Sequence, residues 1–168
     1  MAIVVEDGTG KADSESYISV ADASAYFTAR GNTTWGAITT DALREAALRK
    51  ATDYMTAIYR TRWQGWRTTP TVQALCWPRS GVTIERVYVD NQSVPTAIKN
   101  ACAELALKAA SADLLVDVSP AVLSETVGSI SVTYDRSAAK QTQYAAIDGI
   151  LLPYLKSGGG VSIGLVRT

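Results

Sequence analysis

In the stretch "TDALREAALRKATDYMTAIYR", residues 40–60, apolar side chains recur at intervals of three and four: Leu43, Ala47, Ala51, Tyr54, Met55 and Ile58. An α-helix gathers that spacing onto one side and leaves Arg44, Lys50 and Asp53 on the other. At ~1.5 Å per residue such a helix is about 30 Å long, the spine of a small bundle, with Thr39 or Thr40 as its N-cap. Residues 95–112 repeat the pattern: Ile98, Ala101, Cys102, Leu105, Ala106 and Ala109 form one stripe behind Pro95. Proline suits a first helical turn, where its missing N–H would have had no partner, and a stripe so rich in alanine lets another helix come close. These two segments predict a mainly α fold, a small helical bundle.

Shorter elements complete it. Ser19 stands three residues before Asp22, a capping-box spacing, and predicts a helix from Val20 to Arg30 that Gly31 stops. Val20, Ala23, Tyr26 and Phe27 would face inward. The run "ETVGSISVTYD", residues 125–135, switches to a period of two, with Ile130, Val132 and Tyr134 opposite Ser129, Ser131 and Thr133. This is a minor β element, a half-buried or edge strand. A last helix is expected over 141–152, with Tyr144, Ile147, Leu151 and also Leu152 inward and Pro153 as its limit. Residues 1–156 thus read as one helical domain with an inserted β element, and residues 157–168 as an extended C-terminal arm behind a glycine hinge.

In that arm Val161, Ile163 and Leu165 alternate like a strand, and Val166 follows. It can pair with residues 129–134 in the chain's own sheet, or add a strand to a neighbouring subunit or partner. Three glycines join a rigid strand poorly, which favours the second.

Composition limits the chemistry. A chain of 168 residues buries roughly 70% of its unfolded surface, so one core suffices without metal or disulfide. Sixteen basic residues balance 16 acidic ones and 47% of the chain is hydrophobic, which excludes a disordered chain and a globally basic nucleic-acid binder. Cys76 and Cys102 are too few and too far apart for a zinc knuckle or a redox pair, and read as buried thiols in a reducing compartment. There is no histidine, so a Ser-His-Asp triad, a Cys-His pair and a histidine metal site are all excluded. The carboxylates are scattered, and neither an enzyme nor a cofactor or metal is expected. The N-terminus has no basic start and no apolar run approaches the ~20 residues of a membrane span, so a cytoplasmic product is expected.

About 35 residues separate the two long helices, long for a connection in a compact domain and often a mark of function. They hold Trp63, Trp66 and Trp77, three of the four tryptophans. Over residues 44–86, Arg44, Arg49, Lys50, Arg60, Arg62, Arg67, Arg79 and Arg86 stand against Glu45, Asp53 and Glu85, which is 8 minus 3, or +5. The candidate interface or DNA-channel residues are Arg60, Arg62, Trp63, Trp66 and Arg67 in "YRTRWQGWR" and Arg79 in "QALCWPRSGV". Interleaved Arg and Trp can hold single-stranded DNA, anchor a protein interface, or cover helix ends as a packed corner. All three stay open on sequence alone. Trp77 precedes Pro78 and is expected to be extended, Gly81 to turn the chain, "VTIERVYV" to make a short strand, and Arg79 to point outward.

The start "SYISVADASAY" followed by "RG" and a tryptophan, then "EAALRKATDYM", "ALCWPRSGV", "VPTAIKNACAELAL" and "VGSISVTYD", together resemble the head-to-tail adaptor (connector, head-completion) proteins of tailed phages. Sequences of this kind often go under the name of DnaT-like single-stranded-DNA-binding proteins. The resemblance spans about residues 14–155, and the corner with the helix after it is its most specific part. It implies a virion protein at the head–tail interface that forms a closed ring of about twelve copies under the portal. The implied partners are the portal, neighbouring copies, a tail-side connector or terminator, and genomic DNA held weakly and without sequence preference in the channel. The arm residues Val161, Ile163, Leu165 and Val166 would dock on a neighbour or the portal. The alternative is a single-stranded-DNA-binding accessory protein of phage replication.

Overall fold

The computed structural model describes residues 2–115, 124–127, 130–133 and 144–156, the two short middle stretches by their backbone alone. The helices there are α1 (Val20–Thr28), α2 (Asp41–Tyr59), α3 (Thr96–Ala109) and α4 (Ala145–Leu151), and a 3-10 turn, Leu152–Tyr154, extends α4. Three antiparallel two-strand ladders join them: β1 (Trp66–Arg67) with β2 (Arg79–Ser80), β3 (Thr83–Ile84) with β4 (Val87–Tyr88), and β5 (Ser124–Val127) with β6 (Ile130–Thr133). The architecture is mainly α with a minor β part, as the periodicity predicts.

The seam between α2 and α3 is the centre of the core. Every residue of the predicted α3 stripe is buried, from Ile98 through Ala101, Cys102, Leu105 and Ala106 to Ala109. From α2 come Ala47, Leu48, Ala51, Thr52 and Met55. Thr52 is the polar member; its hydroxyl donates to Leu48 O at 2.9 Å and lies 3.5 Å from the Cys102 sulfur. A buried hydroxyl bonded within its own helix leaves no unsatisfied group in the seam.

Leu43 departs from expectation. It belongs to the α2 stripe by spacing, yet it is 56% exposed. Lys50 pairs with Asp113 at 3.0 Å, already past the end of α3 at Ala109, and Leu43 lies two turns further along α2. The first turns of α2 therefore overhang the end of the helix that would have covered them.

α1 is capped as its sequence implies. Ser19 Oγ accepts from Asp22 N at 3.0 Å and donates to Asp22 Oδ2 at 2.7 Å. The helix ends at Thr28, earlier than the expected Arg30, and Gly31 at φ +65° turns the chain so that Asn32 N bonds Phe27 O. Tyr144 holds the N-cap position of α4 without a side-chain cap bond, and Leu152, expected inward, is 68% exposed because the 3-10 turn begins there. The expected start at 141 lies outside the described residues. So do Ser129, Tyr134 and the arm residues Val161, Ile163, Leu165 and Val166.

The N-terminal segment closes one side through a buried carboxylate. Glu6 accepts from Gly8 N and Gly10 N at 2.9 Å each, and from Lys11 N and Ser14 Oγ at 3.0 Å. Arg49 on α2 donates to both oxygens of Glu15, at 3.0 and 2.9 Å, and so ties this segment to the bundle. The guanidinium holds the Glu15 carboxyl below its ordinary value of 4.5. A carboxyl with a depressed folded pKa stabilises the fold above its unfolded pKa, and that contribution disappears as pH falls through the folded value. Thermal midpoints taken between about pH 6 and about pH 3 should therefore fall less steeply for Arg49→Gln than for the parent chain. Parallel slopes would show that the pair adds nothing to acid sensitivity.

Candidate interface at the tryptophan-arginine corner

The connection between α2 and α3 carries two ladders of two residues per strand, too few backbone bonds to fix its course. Side chains do so instead. Gln73, 3% exposed, donates from Nε2 to Leu75 O at 2.9 Å and Pro78 O at 3.0 Å, and accepts at Oε1 from Thr69 N at 3.1 Å. It folds "QALCWP" into a tight loop that includes a cis Trp77–Pro78 peptide bond.

Arg79 closes the same loop from the other end, against the expectation that it points outward. It is only 7% exposed, and its guanidinium donates to Gln64 O at 2.6 Å, Gly65 O at 2.7 Å and Cys76 O at 3.1 Å. Gly65, at φ +59°, lies so close against Ser80 of β2 that a Cβ there would collide with the Ser80 carbonyl. A planar cation with five donors can satisfy three such acceptors at once.

Trp63 and Trp77 are both fully buried and meet edge to face, with ring centroids 5.7 Å apart. Tyr59 continues the row on one side and Tyr154 on the other, each 5.7 Å from its neighbour. Tyr59 OH donates to Asp148 Oδ1 at 2.8 Å, which fixes α4 against this row. Trp63 is thus a core residue, and the expectation that it lines an interface is corrected. Both indole N–H groups are buried with no hydrogen-bond partner among the described residues.

The other candidates divide. Arg67 donates to Gln73 O at 3.0 Å and Pro70 O at 2.7 Å, so it serves the loop. Arg62 is half exposed, 3.9 Å from Asp148 and over the Tyr59 ring at 5.2 Å. Arg60 is exposed. Trp66 is 65% exposed, and its ring lies so close over Gly81 that a Cβ there would be 2.6 Å from Cζ3.

The expected single strand in "VTIERVYV" is instead a hairpin. Glu85 and Arg86 turn it at φ 49° and 70°, a left-handed pair that Asn-Gly usually supplies. With no glycine or asparagine at the turn, the one sign of the reversal was the adjacent polar pair Glu85 and Arg86, which shifts the apolar phase from Val82 and Ile84 to Val87 and Val89. As a result Val87 is 68% exposed and Tyr88 81%, two surface residues that pattern reasoning missed.

Gln64, also missed, links the corner to the end of the bundle. Its N–H donates to Tyr154 O at 3.0 Å, its Nε2 to Pro153 O at 2.8 Å and Leu155 O at 3.3 Å, and its carbonyl accepts from Arg79. Lys156 N donates to Arg62 O at 2.7 Å beside it. Burial pushes the thiols of Cys76 and Cys102 above their ordinary values, so neither is a ready thiolate.

Chemically, then, the corner offers one exposed indole, one exposed tyrosine and a few arginines. A family model described as "Putative DnaT-like ssDNA binding protein" matches residues 1–168. The chain belongs to this family. No curated protein and no solved structure matches the chain. In this DnaT-like family member the most distinctive sequence stretch, "QALCWPRSGV", is a packed loop, with Gln73 and Arg79 holding its two ends.

Proposed function

We propose that the chain is a structural, protein-contacting component, the head-to-tail adaptor of the sequence resemblance, a non-enzymatic virion part that assembles as a ring on a portal. The observation that carries this is the fate of the tryptophans. Trp35, Trp63 and Trp77 are each at most 1% exposed, which leaves Trp66 as the one exposed indole, with Tyr88 as an exposed phenol. Single-strand binders present several aromatic platforms along a cationic groove. Here Arg79 and Arg67 are bonded to the protein's own carbonyls, and the whole chain is neutral. The outward residues at the corner, Trp66, Val87 and Tyr88, are of the type that protein interfaces cover.

The family description favours the second reading, single-stranded DNA binding. Exposed Trp66 and Tyr88 together with Arg60, Arg62 and Arg86 supply the residue types it needs. Two measurements separate the readings. Electron micrographs of the protein mixed with its portal are expected to show a ring seated on the portal. Titration with a single-stranded oligonucleotide is expected to show no tight binding at physiological salt. Submicromolar binding there, with a salt slope of several phosphates that Trp66→Ala weakens, would replace the adaptor with the DNA-binding reading.

A further inference from the structure

The hairpin of β3 and β4 carries an open strand edge. Val89 N donates to Val82 O at 3.0 Å, so these two form a hydrogen-bonded pair of the ladder. Bonded and non-bonded pairs alternate in an antiparallel ladder, and Thr83 with Tyr88 is the next pair along. The N–H and C=O of Tyr88 therefore point away from β3, along the outer edge of β4. Among the described residues β3 and β4 form a sheet of two strands, and no third strand takes up that edge.

The side chains on the edge follow an order of their own. Tyr88 and Asp90 share one face and are exposed, while Val87 and Val89 share the other. Arg86, also exposed, ends the turn at φ +70° and makes no ion pair among the described residues. Asp90 gives one carboxylate oxygen to Gln92 N at 3.0 Å. The run "RVYVD", residues 86–90, is thereby complementary to its own reverse. Laid antiparallel on a second copy with Tyr88 facing Tyr88, it sets Val87 against Val89 and Arg86 against Asp90, each twice. Opposite charges and β-branched residues directly across a ladder stabilise it, and like charges destabilise it.

We propose that β4 pairs with β4 of a second copy, antiparallel about Tyr88, each Tyr88 exchanging its backbone N–H and C=O with the other. The residue on such a two-fold axis must have its polar groups turned outward, and that is the phase the hairpin supplies. Any extended segment could fill an open edge. The charge pattern selects a second copy, because an apolar strand would leave Arg86 and Asp90 unpaired. The contact is two-fold and closes at two copies, so it is distinct from a head-to-tail ring contact and goes beyond the adaptor reading. Two short strands bury less than the ~1,200 Å² of a stable interface, so the dimer fills only at high concentration, on the order of 0.1–1 mM protein.

Sedimentation equilibrium of the full-length chain tests this through charge reversals at the two exposed positions. Arg86→Asp places carboxylates opposite each other at both ends of the paired strands, and Asp90→Arg places guanidinium groups there. Either variant alone should self-associate about tenfold more weakly than the parent. Mixed in equal amounts, the two variants regain opposite charges at both ends, and the mixture should associate about as tightly as the parent. A parent chain that stays monomeric at about 1 mM overturns the proposal. So does self-association that neither reversal weakens, or a mixture no tighter than its components, either of which would give the edge another occupant.

Discussion

Arg79→Met is expected to lower the unfolding free energy by about 3 kcal/mol, since hydrogen bonds to a charged donor contribute roughly 1.5–3 kcal/mol each and three buried carbonyls lose theirs. Relief of the guanidinium's own desolvation offsets part of the sum. Methionine fills similar volume, so the loss reports the bonds rather than a void. Arg79→Lys should recover less than half, because one ammonium cannot span the carbonyls of Gln64, Gly65 and Cys76 together. Urea denaturation followed by circular dichroism measures both variants. A change under about 1 kcal/mol for Arg79→Met, the scale of a surface substitution, would mean that Arg79 does not hold the loop.

The second large effect contrasts two tryptophans three residues apart. Trp63→Ala removes a fully buried indole from the row between Tyr59 and Trp77 and should cost about 3–5 kcal/mol. Trp66→Ala removes a largely exposed ring and should cost under about 1 kcal/mol. Its consequence should appear in association instead, as weaker ring assembly or weaker DNA binding according to which function holds. If Trp66→Ala destabilised the monomer as much as Trp63→Ala, the division between core and surface drawn at this corner would be wrong.

The helices were legible because their signals are local. Thr40 and Ser19 cap where the sequence places caps, and the α3 stripe is buried throughout. Leu43 shows where periodicity stops informing: its spacing is right, but the helix that would cover it ends at Ala109, and that length is a property of another segment. The corner was legible as a special place and illegible in its geometry. Arginine beside tryptophan has the same composition whether it faces solvent or three carbonyls. What decided Arg79 was the turn at Gln64 and Gly65, fifteen and fourteen residues away in sequence, which brings two of those carbonyls to its guanidinium. The hairpin at Glu85 and Arg86 was hidden for a simpler reason, because the residues that normally announce such a turn are absent.

Gln64 gives the corner a mechanical property. Its bonds to Tyr154, Pro153 and Leu155, with the Lys156–Arg62 bond beside them, grip the last described residues at several points at once. Four successive residues, 153 to 156, are each bonded to Gln64 or Arg62, so this end detaches only when all of these bonds are lost. Through the Gln64 carbonyl the hold extends to Arg79 and from there to the loop around Trp77. Any tether anchored at this end would draw on the strength of the whole core.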